Sequence, residues 1–342
     1  EIEEKILSSE DGALRLEAEL YEQIKAVLAS NINNFKKLSA AVARLDVLIS
    51  FAQVAKSNKY VRPVIVPQES PLVIREGRHP VVEMISKERF VANDTLLDEG
   101  ENRTMIITGP NMAGKSTYMR QTALITLMAH IGSFVPAKSA EIPIVDRIFT
   151  RVGASDNLIF DQSTFMVEMI EVASILQNAT KNSLLILDEV GRGTSTYDGL
   201  SIAWAVIENL TQKVGAKTMF ATHYHELTEL ENRMEGVKNY KIAVKEINGS
   251  VVFLRKIMRG GANRSFGIEV AALAGVPADV TDRAKQLLKM VERRVGAAVR
   301  NVEDEEERQP SEVERILRET DMNSISPMQA FMLLSDLVEK VK

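Results

Sequence analysis

The fold is decided by the stretch Gly109-Pro110-Asn111-Met112-Ala113-Gly114-Lys115-Ser116-Thr117, which has the spacing G-x-x-x-x-G-K-S. A short apolar run, Thr104 to Thr108, precedes it, and residues 118–131, rich in Met, Leu and Ala, predict a helix after it. The glycines allow the loop to wrap around an anion with its backbone N–H groups directed at phosphate oxygens. In this strand–loop–helix setting, the motif predicts nucleotide binding by residues 109–117.

The chemistry expected of this loop is divided among its residues. The N-terminus of the following helix carries a partial positive charge, and the Lys115 ammonium can lie against the terminal phosphates. The Ser116 hydroxyl can hold Mg²⁺. The alternative is an ordinary glycine-rich turn, since the bare motif should arise by chance in roughly one chain in a hundred of this length.

The composition is that of an ordinary globular protein, with 342 residues of which 45% are hydrophobic and 26% charged. The absence of cysteine excludes disulfides and thiolate metal sites and suits a reducing cytoplasm. We identify no apolar run of membrane-spanning length and expect no membrane segment. The net charge of −5 argues against nucleic-acid contact over the whole surface. Because the chain begins at Glu1 within a helix-like pattern, we expect it to be a fragment.

The N-terminal region has a helical apolar pattern. Apolar residues from Ile24 to Ala52 recur about every 3.5 positions, which predicts one long helix or two packed end to end. A core stripe on a bundle helix is favoured over a coiled coil because the pattern lasts only about four heptads. Asn58 and Pro63 should end the helix, and residues 60–67 should form an extended linker at a domain boundary.

Further strands and helices are predicted along the rest of the chain. Strands are expected over residues 71–82, 90–97, 141–153 and 217–222, and an antiparallel hairpin over 239–257. Helices are expected from Ser163, as N-cap, to about Ala179, and over 200–210, 268–274, 278–294 and 326–341. His79 is predicted to be a turn or packing residue.

The run Leu184 to Glu189 predicts a strand that is buried on both faces and ends in two carboxylates. In an open parallel α/β sheet, ligands bind at this carboxyl edge. Asp188 can hold Mg²⁺ through its water shell, and Glu189 can polarise the water that attacks a γ-phosphate. Alone the pattern also fits an acidic surface turn, but together with residues 109–116 it indicates an ATP-hydrolysing site.

The strand over 217–222 delivers His223 to the same edge, where it could hydrogen-bond the γ-phosphate or the attacking water. A metal site at His223-x-His225-Glu226 is disfavoured, since no Cys or other His lies nearby. Residues 191–199 are too rich in Gly, Ser and Thr for a packed element. The helix pair after Gly260 has a helix-turn-helix shape, but it lacks a row of base-reading side chains, so packing against a partner chain is favoured.

Together these motifs resemble the ATPase half of the MutS family of bacterial DNA mismatch-repair proteins. The resemblance rests on residues 108–117, 163–169, 184–199, 222–223 and 261–277, and it extends to 45–48, 60–63 and 326–328. It implies the α/β class with an ABC-type P-loop ATPase domain. The implied segments are a helical lever or core segment (1–62), the ATPase domain (63–260), a helix-turn-helix dimerisation segment (261–300), and an acidic linker with a short C-terminal helix (301–342).

The resemblance also implies a site for ATP or ADP with Mg²⁺ at residues 109–117. Ser116 and Asp188 would be at the metal, and Glu189 and His223 would be catalytic. Phe90 and Val91 match positions near the adenine, and Ser163 matches the serine that approaches the γ-phosphate of the partner subunit. The chain departs from the family at three places: Asp161, where Gly is common; Arg255, where some relatives have an aromatic residue or His; and Gln309-Pro310-Ser311, where no sliding-clamp motif is recognisable.

The implied function is ATP hydrolysis that drives the conformational cycle of a cytoplasmic, nucleoid-associated mismatch-recognition homodimer with composite ATP sites. We expect the mismatch-reading domain to be absent, DNA to be contacted mostly through regions outside the fragment, and a MutL-type partner to act with the full protein. The alternatives are a recombination-suppressing paralogue, a transporter ATPase subunit and a non-hydrolysing nucleotide-gated scaffold. The first usually carries a nuclease domain, the second needs a Leu-Ser-Gly-Gly-Gln signature, and Glu189 argues against the third.

Overall fold

A computed structural model of the chain describes residues 2–110, 113–153, 164–247, 250–261, 266–290, 316, 320 and 326–341. The chain divides into two compact units, Glu1–Gly267 and Ile268–Lys342. The larger unit carries both β-sheets, and the described residues of the smaller unit are mainly helical. The predicted mixed α/β class is confirmed by this architecture.

The central sheet of the larger unit has six strands. In spatial order they are β10 (Ser250–Arg259), β9 (Val237–Ile247), β4 (Thr104–Thr108), β8 (Lys217–Thr222), β7 (Leu184–Asp188) and β6 (Ile148–Val152). Only the β9–β10 pair is antiparallel, and every other neighbouring pair in this sheet is parallel. The carboxyl ends of β4, β6, β7 and β8 therefore lie along one edge.

A second sheet has four strands, in the order β1 (Val64–Val66), β5 (Ser139–Pro143), β2 (Leu72–Gly77) and β3 (Asn93–Leu97). β1 and β5 pair in parallel, and the other two pairs are antiparallel. The segment predicted to be a linker thus contributes a paired strand, because Val64 to Val66 find hydrogen-bonding partners in residues 141–143.

The helices have the following bounds: α1 (Ile2–Ser30), α2 (Ile32–Asn58), α3 (Pro80–Ile85), α4 (Lys115–His130), α5 (Thr164–Asn178), α6 (Thr196–Glu208), α7 (Leu230–Arg233) and α8 (Gly267–Leu273). A π-helical segment, Asn209–Val214, follows α6, and a 3₁₀ turn, His225–Glu229, precedes α7. Residues 278–290 and Pro327–Val341 are also helical.

The core lies on both faces of the central sheet, as the apolar run of β7 predicts. On one face, Ile107 and Ile186 pack in a cluster with Met119 of α4. On the other face, Leu187 packs in a cluster with Val172 of α5 and Ala203 of α6. Every residue of β4, β7 and β8 is buried, so the polar residues that follow these strands are held at a rigid edge.

Three strand predictions are wrong in extent. The strand predicted over 90–97 begins only at Asn93, so Phe90 and Val91 precede β3. The strand predicted over 71–82 ends at Gly77, and Pro80 then begins α3. His79 is the N-cap of α3, and its Nδ1 accepts the backbone N–H groups of Val81 and Val82 at 3.3 Å. Proline at the first helical position and a side-chain acceptor before it favour a helix start over a continuing strand.

The strand predicted over 141–153 is in fact two strands, β5 and β6, which belong to different sheets. The Asp146 carboxylate accepts hydrogen bonds from the hydroxyls of Thr180 (2.6 Å) and Ser183 (2.8 Å) in the break between them. The turn predicted at Asn248-Gly249 lies outside the described residues. The antiparallel hairpin around it is confirmed by the pairing of β9 with β10.

The N-terminal pattern forms two helices, α1 and α2, which are separated at Asn31. Its interpretation as a core stripe is wrong within this chain, because no α2 residue is buried. Among the described residues, α2 is also long and apolar enough to cross a membrane, with a mean hydropathy of 1.5 over an 18-residue window. The prediction of no such segment is therefore wrong by length and composition. Helices of soluble proteins pass the same test, so α2 alone assigns no membrane location.

The segment predicted to be unpacked, residues 191–199, already contains the first turn of a helix. α6 begins at Thr196 rather than Leu200, since the Ser195 side chain accepts the backbone N–H of Asp198. Gly191 and Gly199 are buried against each other. A β-carbon on Gly191 would lie 2.4 Å from the Gly199 carbonyl oxygen, so the glycines permit a close backbone contact.

Candidate active site

The glycine-rich loop joins β4, in the middle of the central sheet, to α4. Gly109 and Gly114 have φ values of 129° and 103°, a left-handed conformation that other residues adopt at a steric cost. α4 begins at Lys115, and the Tyr118 N–H donates to the Gly114 carbonyl at 3.0 Å. Asn111 and Met112 lie outside the described residues. The predicted strand–loop–helix setting is therefore present around the loop.

The Lys115 ammonium is fully buried at the carboxyl edge of the sheet. It donates to the backbone carbonyls of Gly109 and, at 3.3 Å, of Thr222, so it joins the ends of β4 and β8. Burial lowers the pKa of Lys115, and the nearby carboxylates of Glu189 and Asp188 oppose that shift. No carboxylate of the described residues forms a salt bridge with this ammonium. Its charge is therefore available to an anionic ligand.

Asp188 ends β7 beside the start of α4. Its carboxylate is 8% exposed and accepts a hydrogen bond from the Ser116 hydroxyl. Burial raises the pKa of Asp188, while the Ser116 hydrogen bond and the Lys115 charge lower it in part. The carboxylate and the hydroxyl together present oxygen donors, which is the ligand type that Mg²⁺ prefers.

Glu189 follows directly and has an unusual backbone conformation. Its φ of 55° lies in the left-handed region, which a residue other than glycine occupies only when its surroundings hold it there. Its N–H donates to the Ala221 carbonyl of β8 at 2.9 Å, and its carboxylate pairs with the exposed Arg192. The side chain is thus directed to the edge shared with Asp188.

His223 follows β8 at the same edge. Its ring contacts that of Tyr224 at a tilt of 38°, with 4.2 Å between the ring centroids. His223 is exposed, yet the atoms packed around its ring lower its pKa by desolvation, and Glu189 partly opposes this shift. The ring is therefore mainly neutral at pH 7. Among the described residues there is no group of three or more His, Asp or Glu side chains that could hold a metal.

A cavity of about 500 Å³ opens beside these residues. Its wall includes Ser116, Asp188 and Glu189, which sequence analysis identified, together with Arg120, Arg151 and Glu168, which it did not. Arg120 lies on α4 one helical turn beyond Ser116, so the helical spacing could have identified it. Arg151 is the single charged residue within the strand Ile148–Val152, and this pattern could have identified it.

A second cavity, of about 280 Å³, lies on the other side of the loop. It is lined by Phe90 and Val91 and by Gly114 and Thr117 from the loop region. The sequence assigned no role to the other lining residues, which are Val82, Ser86, Asn93, Tyr118, Gln121 and Arg255. Phe90 and Val91 therefore share a cavity with the loop, and their place near the adenine stays a prediction.

Asn93 holds the two walls of this second cavity together. Its Nδ2 donates to the Val91 carbonyl at 3.3 Å and to the Arg255 carbonyl at 2.9 Å. Its Oδ1 accepts the Ile257 N–H at 2.8 Å. Arg255, with a φ of 56°, extends its guanidinium to Glu88 at 3.0 Å.

Two other observations limit the site. Ser163 and Asp161 lie outside the described residues, so the expected subunit-bridging role of Ser163 stays a prediction. A larger cavity, of about 660 Å³, lies at the amino ends of β4 and β9 and is lined by residues including Glu99, Arg103 and Lys238. The glycine-rich loop and the carboxylates at the strand ends are at the opposite edge, where ligands of parallel sheets bind.

The fold and these side chains first define a class: a mixed α/β protein in which a glycine-rich loop and an acidic strand end meet at the carboxyl edge of a mostly parallel sheet. The family model of MutS domain V matches residues 105–292, more than half of the chain. The chain therefore belongs to the MutS family. This membership argues against a transporter ATPase subunit.

The relatives found by sequence comparison carry the name DNA mismatch repair protein MutS. The protein of Acetivibrio thermocellus is 54% identical over 359 residues, an alignment that covers 100% of this chain and 41% of that protein. The protein of Lachnoclostridium phytofermentans is 62% identical over 291 residues, covering 84% of this chain and 31% of that protein. The protein of Clostridioides difficile is 58% identical over 294 residues, covering 86% and 31%. The chain thus spans well under half the length of these relatives.

Proposed function

We propose that this chain binds and hydrolyses ATP and serves as the ATPase part of a MutS-family DNA mismatch-repair protein. The observation that carries the proposal is the meeting of three groups at one sheet edge: the buried Lys115 ammonium, the Ser116–Asp188 pair, and Glu189. A buried cation beside a glycine-rich loop suits an anionic ligand, and a carboxylate next to it suits activation of water.

The phosphates of ATP would lie along the loop, against its backbone N–H groups and Lys115. The adenine would occupy the cavity of about 280 Å³, against Phe90 and Val91. The loop residues Gly114 and Thr117 line that cavity too, which supports a single ligand that passes from one cavity to the other. We also propose the ABC-type arrangement of the domain on this basis.

The Ser116 hydroxyl and the Asp188 carboxylate fit Mg²⁺, because both offer oxygen atoms and already lie within hydrogen-bonding distance of each other. Bound there, the ion would neutralise charge on the phosphate oxygens. Lys115 would bind the same phosphates, and burial of both groups would strengthen these charge interactions.

Glu189 would accept a proton from the attacking water. In the present structure its carboxylate pairs with Arg192, so this pair must loosen before Glu189 can act as a base. His223 is mainly neutral at pH 7 because desolvation lowers its pKa, and a neutral ring can donate one hydrogen bond to the γ-phosphate or the water.

The remaining parts of the proposal concern the whole protein. We propose a homodimer in which Ser163 of the partner subunit completes each site, and a conformational cycle that ATP hydrolysis drives during mismatch recognition. The division into segments 1–62, 63–260, 261–300 and 301–342, with a helix-turn-helix used for dimerisation, belongs to the same proposal. DNA binding through other regions, a MutL-type partner and a cytoplasmic, nucleoid-associated location are proposed from the family resemblance, and the relatives' name, DNA mismatch repair protein MutS, supports the repair role alone.

The test is ATP turnover by the chain over a range of protein concentrations, with and without DNA. We expect turnover per chain to rise with concentration if the sites are composite. Lys115→Ala should abolish nucleotide binding, whereas Glu189→Ala should bind ATP but hydrolyse it about a hundredfold more slowly. Equal loss of binding in both variants would contradict the role of Glu189, and no turnover by the wild-type chain would contradict the function.

A further inference from the structure

The backbone of Gly191, two residues beyond Glu189, is held from both sides by buried side chains. Its N–H donates to the Glu168 carboxylate of α5 at 2.5 Å. Its carbonyl accepts the Tyr224 hydroxyl at 3.0 Å. Glu168 and Tyr224 are each 4% exposed, and they come from different elements. We call these two contacts the Gly191 clamp.

The backbone of α6 also packs closely against Gly191. Gly191 has a φ of 89°, and a β-carbon placed there would lie 2.4 Å from the Gly199 carbonyl oxygen. A β-carbon on Gly199 would in turn lie 2.4 Å from the Tyr224 hydroxyl oxygen. The loop after Glu189 therefore has little freedom to shift unless α5, α6 or Tyr224 shifts with it.

Glu168 is fixed by its own charge partner. Its carboxylate lies 3.3 Å from the Arg151 guanidinium, and both side chains are 5% exposed. Arg151 also binds the half-exposed Glu171 at 2.9 Å. Arg151 is on β6, which pairs with β7 in a register that sets Val152 opposite Asp188. A buried ion pair tolerates little displacement, since separating its members leaves an uncompensated charge.

Glu189 lies between two such fixed points. On one side its own N–H is bound to the Ala221 carbonyl of β8 at 2.9 Å. On the other side, the clamp fixes the chain at Gly191. A left-handed φ at a non-glycine residue persists only where the surroundings impose it. The two anchors together account for the φ of 55° at Glu189.

We propose that Glu168 and Tyr224 are positioning residues of the ATP site, which hold Glu189 through the Gly191 clamp and link its position to α5 and to His223. The inference rests on the function proposed above. Tyr224 is the neighbour of His223 in sequence, and their rings are in contact, with 4.2 Å between the centroids. α5 begins at Thr164, directly after the serine predicted to face the partner subunit. A displacement of α5 would thus reach Glu189 through one buried hydrogen bond.

The test compares Glu168→Ala, Glu168→Gln and Tyr224→Phe in the full chain. We expect Glu168→Ala and Tyr224→Phe to lower kcat for ATP about fivefold or more with KM little changed, since each removes one hydrogen bond of the clamp. Glu168→Gln should recover most of kcat, because its amide oxygen still accepts the Gly191 N–H and Arg151 keeps Glu171. Hydrogen exchange of the segment over residues 188–199 should accelerate in Glu168→Ala and Tyr224→Phe.

The matched controls are Glu171→Gln, which changes the same helix and the same arginine, and Tyr240→Phe, which removes a hydroxyl bonded to Asn102 at 3.0 Å. Both should leave kcat and the exchange near wild-type values. An active wild-type chain with unchanged kcat in Tyr224→Phe would overturn the inference and leave the proposed function intact. Absence of turnover in the wild-type chain would contradict the proposed function. Independently of turnover, hydrogen exchange that is not accelerated in Glu168→Ala and Tyr224→Phe would contradict the clamp.

Discussion

Asp188 illustrates, at the scale of one residue, how a site can oppose the stability of its own fold. Burial raises the pKa of this carboxyl above its ordinary value of 3.8, so ionised Asp188 costs the folded state free energy at pH 7. The cost is present above the raised pKa and fades as the pH falls from there to below 3.8, where both states are protonated. The proposed role of Asp188 as a magnesium ligand would account for a charged residue at this position.

We therefore predict that Asp188→Asn raises the melting temperature of the nucleotide-free chain at pH 7, by about 2 °C. The gain should shrink as the pH is lowered through the raised pKa. Thermal unfolding at a series of pH values measures it. A lower melting temperature for the variant at pH 7 would contradict the prediction.

Asp146 provides a control of opposite sign. Burial raises the pKa of Asp146, but the hydrogen bonds from Thr180 and Ser183 outweigh that effect and the net shift is downward. Ionised Asp146 thus stabilises the fold above pH 3.8, and this stabilisation is lost as the pH falls through the lowered pKa. Asp146→Asn should accordingly lower the melting temperature at pH 7.

At the scale of elements, the sequence predicted best where local pattern and burial agree. The strand over 217–222 was predicted at its observed bounds, and the strand predicted to end at Glu189 ends one residue earlier, at Asp188. Both predictions rest on a continuous apolar run, which fits a strand buried on both faces. The glycine-rich loop was recognisable from its spacing alone. These elements position most of the residues predicted for the candidate site.

Prediction failed where contacts distant in sequence decide the structure. The break between β5 and β6 depends on Asp146 meeting Thr180 and Ser183, more than 30 residues away. The clamp on Gly191 depends on Glu168 and Tyr224, which approach the backbone of the same residue from separate elements. Helical periodicity places Glu168 on a buried face of α5, but it does not identify the peptide that Glu168 binds.

Two helical glycines provide a prediction at this scale. Gly12 of α1 has open space where a β-carbon would stand, whereas on Gly199 of α6 a β-carbon would lie 2.1 Å from the Gly191 carbonyl oxygen. Gly12→Ala should stabilise the chain by about 0.5–1 kcal/mol through helix propensity. Gly199→Ala should destabilise it by about 1–3 kcal/mol through overpacking. Urea unfolding measures both, and two changes of the same sign would reject the steric explanation.

At the scale of the whole molecule, the proposed composite site predicts complementation between inactive chains. Lys115→Ala and Ser163→Arg should each be nearly inactive alone. In a mixed dimer, the intact loop of the Ser163→Arg chain faces the intact Ser163 of the other chain, so one site in two is restored. Turnover should then recover on mixing. If heterodimers form and turnover stays absent, Ser163 only caps its own helix.

DNA binding is also a property of the whole molecule. Because the net charge is −5 and the chain spans well under half the length of its relatives, we predict weak, salt-sensitive binding at most. Homoduplex and mismatched duplex should be bound alike. Fluorescence anisotropy with labelled duplexes at physiological salt measures this. A clear preference for the mismatch would show that the chain itself reads it.

The Asn93 contacts have a consequence for the order of events during protein synthesis. Asn93 and Arg255, which join the two walls of the proposed adenine cavity, are 162 positions apart in the chain. At typical elongation rates the ribosome needs roughly 8–30 s to make the intervening segment. Once the glycine-rich loop has been made, it exists without the second wall for the rest of that interval. A nascent chain can therefore complete the cavity only after residue 257 has left the exit tunnel, and nucleotide retention would mark the chains that have reached that point.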